Sequence, residues 1–427
     1  MATLAPGGRP GGNILIAPEE TGSGVPLAAM GCHFANDTAR GVAVTGGALI
    51  EGFTAHTLVA NVPMRDAEGH VRAPADVDAE TCRVAHEMRR AGRHVLLHRL
   101  DLSKTGLLAP GLDALEQAGQ PDAATGDCPD VVVDACQARL DPARVRAYLD
   151  RGWMVMVTGS KFFTGPPFCG ALLLPAGVRR RLDGPRPVPV GLGDYSYRSA
   201  WPAGHALAAL PDGHNIGLIL RWWAALSEMA AFSAIPRAVV HDRLSGFLTA
   251  IEARITADPL LELLPLAAPR RPLLENAWDC LPTILCFFVR APDCTGGGFR
   301  PLALAQARRL HAWVNTDVAD FVPGEDPAAA LAAVLCHVGQ PVPVAHPGLP
   351  GAIAGVLRIS AGARLVSGEP SHEGMDPTGR LRREAGNVGR ILDKVGLILR
   401  HWSRLSSADP VQTYLPHGWR ARAILPA

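Results

Sequence analysis

An α/β protein is predicted by two observations. Over the first half of the chain, short apolar runs alternate with helical stretches. The runs are continuous in their apolar character, which marks strands covered on both faces, as in a large domain with a mainly parallel sheet flanked by helices. A third observation sets a boundary: past residue 235 the pattern changes to a few strands among longer helices, a smaller α+β C-terminal domain. The expected division is a large domain over residues 1–235 and a second over 236–427.

The elements follow in order. Asn13–Pro18 reads as a strand ending in a glycine-containing turn, and Pro26–Phe34 as a helix with proline near its first position. Gly41–Thr45 and Thr57–Pro63 read as strands, Val77–Ala91 as a helix with a charged face and an apolar stripe. Then come a strand at His94–His98, a helix at Leu112–Gln117, a strand at Asp130–Asp134, a helix at Pro142–Arg151 and a strand at Trp153–Thr158. Ala176–Gly204 is irregular, and Asn215–Phe232 is a long apolar helix. In the second domain Pro282–Arg290, Cys336–Val344 and Gly355–Val366 read as strands, Leu302–Asn315 and Leu381–Leu405 as helices, and Cys294–Gly298 as a loop.

Composition narrows the function. A net charge of +1 leaves no whole-chain electrostatic footprint for nucleic acid or an anionic membrane. No apolar run approaches the roughly 18 residues that span a bilayer, and the first residues lack the basic and apolar regions of a secretory signal. Nine cysteines, an odd number without C-x-x-C spacing, suit reduced thiols in a cytoplasm, and no clustered ligand set predicts a metal. Gly22-Ser-Gly24 fails the dinucleotide fingerprint because position 27 is Leu27. Only three of the 41 basic residues are lysines, so each lysine asks for a reason.

Two segments carry chemistry together: Val131-Val-Val-Asp134-Ala-Cys-Gln137 and Val155-Met-Val-Thr158-Gly-Ser160-Lys161, followed by a glycine- and proline-rich stretch. Each is a strand ending in polar groups, at the end where ligands sit in α/β sheets. A lysine buried there has a depressed pKa and attacks carbonyls to form a Schiff base. A carboxylate on the neighbouring strand can keep a pyridine nitrogen protonated, which turns pyridoxal phosphate into an electron sink. The hydroxyls of Thr158 and Ser160 lie within reach of a phosphate. Taken alone, Asp134 is as well read as a helix cap, and a lysine after a strand as an exposed one.

These residues resemble the fold-type I pyridoxal-phosphate enzymes, in the class V aminotransferase and cysteine desulfurase branch. There a D-A-x-Q strand precedes a Ser/Thr-x-x-Lys motif; here Asp134 and Lys161 are 27 residues apart. The resemblance implies Asp134 as the partner of the pyridine nitrogen, Gln137 beside the ring's phenolic oxygen, Thr158 and Ser160 near the phosphate and Lys161 as the Schiff-base lysine. It also places Ser103, in Ser103-Lys-Thr-Gly106, near the cofactor. Leu357-Arg358-Ile-Ser360 is similar to the family's substrate strand, so Arg358 would grip a carboxylate. Thr21, Gly22, Ser23 and Gly24 would lie near the cofactor, either as a phosphate loop or as the loop that carries a ring-stacking side chain; His33 and His56 are candidates for that side chain.

Relative to the family the amino-terminal arm is expected to be shortened. Tyr195 and Tyr197, on the loop after the lysine domain, form either a substrate wall or a dimer seam. Cys336 is expected to be a buried thiol, not a desulfurase nucleophile. The resemblance thus implies a homodimer acting at the α-amino group of a small amino-acid-like substrate, and the scattered thiols add the expectation of a cytoplasmic location. Transamination comes first because it needs no residue beyond those named. A lyase or desulfurase, an oxidase or monooxygenase of secondary metabolism, and a catalytically silent binding protein of the same fold are the alternatives.

Overall fold

A computed structural model of the protein describes residues 9–121, 128–184, 188–266, 268–269, 271, 277–292 and 298–410. The chain divides into two compact units. The first holds the chain up to Ser245 with Leu266–Thr283 and Ala361–Glu373; the second holds Gly246–Pro265, Ile284–Ser360 and the chain from Gly374 onward. The division is thus not a single cut after residue 235, because two later segments return to the first unit.

In the first unit, Gly11–Ile16 (β1), Leu58–Val62 (β2), His94–Asp101 (β3), Leu108–Ala109 (β4), Asp130–Ala135 (β5), Met154–Thr158 (β6) and Gly170–Leu173 (β7) form one sheet. Its order is β2-β1-β3-β5-β6-β7, with β4 paired to β3. The strands from β2 to β6 in that order run parallel; β7 is antiparallel to β6, and β4 to β3. The first unit is therefore an α/β layer structure with a mainly parallel sheet, as the apolar runs predict. Its helices are Val25–Ala29 (α1), Pro74–Arg90 (α2), Leu112–Ala118 (α3), Pro142–Asp150 (α4), Ala176–Arg180 (α5) and Ile216–Ser233 (α6), followed by Arg237–Thr256 (α7), which runs on into the second unit. On one face, α2, α3 and α4 bury Ile14, Leu97, Val131, Val133 and Val155 in the main core. On the other, Val132 and Met154 meet Val178 of α5.

Local chemistry explains the helix starts. Helix α4 opens on Asp141, whose side chain accepts from Ala143 N, with Pro142 at the first position. Helix α2 also opens on a proline, carries Asp76 in its first turn and Arg89 and Arg90 in its last, matching the helix dipole at both ends. Behind the strand ends a buried ionic cluster pins the returning segment 266–283. Arg271 pairs with Asp101, Arg144 pairs with Asp279, and Tyr148 donates to Asp101 at 3.2 Å. Removing one member would strand a buried charge.

The second unit contains Leu261–Leu263 (β8), Ile284–Pro292 (β9), Phe299–Pro301 (β10), Gly339–Val344 (β11) and Ala354–Ser360 (β12) in an antiparallel sheet of order β10-β9-β12-β11, with β8 on β9. Leu304–Val314 (α8) packs on β11 and β12, and Pro377–Arg400 (α10) packs on α8. This is the expected smaller α+β layer. Ala363–Ser367 (α9) belongs to the first unit and Trp402–Ala408 (α11) to the second.

Several elements differ from expectation. Helix α1 stops at Ala29, well short of Phe34, because Gly31 turns left-handed at φ +79° and Cys32 N closes on Leu27 O. Gly41–Thr45 is a loop with one bridge, Asp37 to Ala43, set between left-handed Gly41 and Gly47. Gly355–Val366 is not one strand: β12 ends at Ser360 and α9 begins at Ala363. The loop expected at Cys294–Gly298 lies outside the described residues but for Gly298. Helix α7 and strand β7 were not anticipated.

Candidate functional site

The two motif strands are neighbours. Asp134 pairs in register with Leu100 of β3 on one side and Met156 of β6 on the other. Its carboxylate accepts from Cys136 N at 3.1 Å in the turn that follows. Lys161 lies three residues past the end of β6 and is exposed. Burial pushes the Cys136 thiol up, with the Asp134 carboxylate adding to the rise and Lys161 opposing it. Asp134, Cys136 and Lys161 therefore share one electrostatic neighbourhood at the C-terminal ends of the sheet. The expectation of a buried Lys161 is corrected: its neighbour Phe162 takes the core position, stacked on Trp278 at 5.2 Å, and turns the lysine outward.

A residue missed at the sequence level stands beside Asp134. His98 on β3 is in register with Val132, two residues before Asp134 on the adjacent strand. Its Nε2 is buried with no hydrogen-bond partner among the described residues. Burial pushes the imidazole down to about 4, against the pull of Asp134. His98, Asp134 and Thr21 line a water-sized cavity together with Leu15, Ile16, Val25 and Leu100. The signal available in the sequence was a histidine in the middle of the apolar run His94–His98.

The hydroxyls expected near a phosphate are spent. Thr158 donates to Cys169 O at 2.8 Å, so the 2.7 Å contact between Thr158 and Ser160 must use the serine proton. Ser103 is corrected more strongly. It is buried and donates to Glu20, which also accepts from Thr105 and from Arg65 at 2.6 Å. Burial would raise the Glu20 carboxyl, but Arg65, Ser103 and Thr105 together hold it below its ordinary value. Ser103 thus builds a satisfied internal network instead of facing a ligand.

In the loop before α1, Thr21 donates to Pro18 O, Gly22 and Ser23 are exposed, and Gly24 is half-buried. The phosphate-loop reading loses its helix, since α1 has only 5 residues. Thr21 alone of the four lines the cavity beside Asp134. Gln137 is half-buried in the turn after β5.

The tyrosine loop packs on the loop that follows α1. Tyr195 hydroxyl meets His33 Nδ1 at 2.6 Å, and Arg40 lies 4.6 Å above the Tyr197 ring. His33 is thereby tied to Tyr195, and His56 is exposed. Arg358 sits half-buried on β12 in the second unit, donating from Nε to Gln340 O at 3.1 Å. Gly339 lets it lie flat: a Cβ there would come within 2.9 Å of Arg358 Nε. Cys336 is buried, and burial pushes its thiol up.

No family model matches the sequence, and no curated protein matches it. Solved structures do. The chain is similar to the ureidoglycine–glyoxylate aminotransferase of Bacillus subtilis, at 13% identity and a TM-score of 0.47, covering 96% of this chain and 81% of that one. It is similar to the cystine C–S lyase C-DES at 14% identity and a TM-score of 0.44, covering 89% and 75%. Mouse CSAD matches at 13% and 0.43, with 89% of this chain spanning 63% of that one, less than two thirds of its length. At these scores no activity is carried over from them.

Proposed function

We propose that the protein is a pyridoxal-phosphate-dependent enzyme acting at the amino-bearing carbon of an amino-acid-like substrate. The observation that carries this reading is the placement of Asp134 near the end of β5 and of Lys161 three residues past the end of the adjacent parallel strand β6. The buried, unpartnered Nε2 of His98 beside Asp134 supports it. A buried polar atom without a partner in a water-sized cavity is costly unless a site uses it. In donor chemistry Asp134 and the unpartnered His98 Nε2 suit the ring end of the cofactor, while the cavity they line has room for a water and not for a ring. The hydroxyls of Ser103, Thr158 and Ser160, with their protons committed, are not what would hold its phosphate.

When bound, the cofactor supplies an electron sink for a bond broken at the substrate α-carbon. Asp134 would hold a proton at the ring nitrogen. Lys161 would hold the cofactor through its amine, which an arginine at that position could not do. The same amine would hold or move a proton at the substrate α-carbon. Arg358 suits a substrate carboxylate, since its planar fork binds two oxygens at once.

Transamination is favoured because it requires no further residue. Desulfuration ranks below it: Cys336 donates to Val334 O and its raised pKa makes it a poor nucleophile. The described cysteines form no disulfide with one another, which suits a cytoplasmic location.

The test is direct. Purified protein incubated with pyridoxal phosphate should turn yellow, and borohydride should then fix the cofactor mass on the peptide that contains Lys161. A colourless protein, or a label on Lys104 in its place, would sink the reading. Conversion of the cofactor to its amine form by an amino acid, with release of the keto acid, identifies a transaminase. Turnover that requires oxygen and never forms that amine selects an oxidase.

A further inference from the structure

The cavity beside Asp134 has an apolar wall of Leu15, Ile16, Val25 and Leu100, and its polar groups belong to His98, Asp134 and Thr21. His98 lies diagonally from Asp134 across the β3–β5 pair, since its register partner is Val132 and that of Asp134 is Leu100. Thr21 reaches the cavity from the loop before α1, and that loop is anchored from behind. Glu20 is buried and accepts from Arg65, Ser103 and Thr105 through its carboxylate, and from Lys104 N at 3.1 Å through its carbonyl. The network that holds Ser103 away from any ligand therefore fixes Thr21 in place.

The other bonds of each polar group decide what it offers the cavity. Thr21 spends its hydroxyl proton on Pro18 O at 3.0 Å, so it has a lone pair to offer. A carboxylate accepts at roughly four lone-pair positions, and among the described residues Asp134 takes hydrogen bonds from Cys136, two positions along the same turn. His98 Nε2 is buried and has no partner among the described residues. Burial pushes the imidazole down to about 4, so at neutral pH it carries one ring proton. A water between two acceptors gives one hydrogen to Asp134 and one to Thr21. Its oxygen is then left to accept, and the ring nitrogen has to donate. The water makes three hydrogen bonds, the usual number for a buried one.

We propose that one buried water joins His98 Nε2–H, the Asp134 carboxylate and the Thr21 hydroxyl, and that through it His98 is a positioning residue for Asp134. The carboxylate is then held from β3 and from the Thr21 loop as well as from its own turn. A group fixed by partners of this kind keeps its orientation when it acts. The benefit to a ring nitrogen rests on the cofactor reading above; the water site does not.

The experiment uses the full chain without cofactor. A crystal structure that resolves ordered water should place one water within about 2.6–3.2 Å of His98 Nε2, an Asp134 oxygen and Thr21 Oγ. Nuclear magnetic resonance of the nitrogen-15 histidine-labelled chain at neutral pH should show His98 neutral with its proton on Nε2, the signal being assigned by its loss in His98→Leu. Thr21→Val and His98→Leu should each lower the urea midpoint, and the double variant should lower it by clearly less than the sum, because both remove the same water. With pyridoxal phosphate then added, uptake should weaken several-fold in Thr21→Val and in His98→Leu. It should recover in His98→Gln, whose amide can donate to the same water. No water at that position, a proton on Nδ1, a charged ring at neutral pH, or additive midpoint shifts would overturn the proposal. Uptake that ignores both substitutions would overturn the positioning role. A chain that shows the water and the Nε2 proton but takes up no pyridoxal phosphate overturns the cofactor reading and leaves the water site standing.

Discussion

Lys161 and Lys394 are two of only three lysines in the chain, and the two units treat them in opposite ways. Lys161 stands exposed past the end of β6, next to a fully buried phenylalanine. Lys394 is completely buried on α10, donating to Thr316 O at 2.9 Å and to Val334 O. Burial pushes Lys394 down to about 8, with Cys336 and Asp317 opposing the fall. A depressed pKa is often taken as the mark of a catalytic lysine. Here it belongs to the lysine that ties two chain segments together, and the lysine of the Asp134 and Cys136 neighbourhood is the exposed one. Burial perturbs a lysine; a cofactor site requires reach and a carboxylate partner as well.

The largest effect expected from this contrast is at Lys161. Lys161→Arg should abolish borohydride-fixed cofactor altogether while leaving the unfolding free energy in urea within about 0.5 kcal/mol of the parent, since an exposed substitution removes no buried contact. A retained adduct would break the assignment. Lys394→Ala should do the reverse, keeping the adduct and losing about 2–4 kcal/mol in urea unfolding, because it opens a cavity and leaves two carbonyls without a donor.

The same contrast can be sharpened by pH. The folded Lys394 value of about 8 lies below the ordinary 10.5, so between them the unfolded chain binds more protons than the folded one. Stability credited to this group therefore rises with pH through that window, and the rise should vanish in Lys394→Met. His98 gives the matching effect on the acid side. Its folded value of about 4 lies below the ordinary 6.5, so its share of stability is lost as pH falls between the two. His98→Leu should flatten that loss in acid-titrated thermal melts and weaken cofactor uptake; an unchanged acid profile would show the imidazole to be solvated.

The site was legible to the extent that it is local in sequence. Asp134 and Lys161 each end an apolar strand, and the alternation of strands and helices made those strands neighbours in a parallel sheet. His98 was illegible as a site residue because only register sets it beside Asp134. Ser103 was misread for a similar reason: its partner Glu20 is 83 residues away, and a hydroxyl's proton goes to whichever acceptor the fold brings closest.

By itself, then, the sequence determined the α/β class, the smaller mixed second layer, most strands and the pair of residues proposed to carry the chemistry. All of these rest on periodicity and on residue type at strand ends, which act over a few positions. Tertiary structure alone decided which lysine is buried, where the Thr158 and Ser160 protons go and how the later segments return to the first unit. Those outcomes depend on which groups compete for the same neighbour across long stretches of chain, and three lysines identical in sequence chemistry become different in kind only when their surroundings are set.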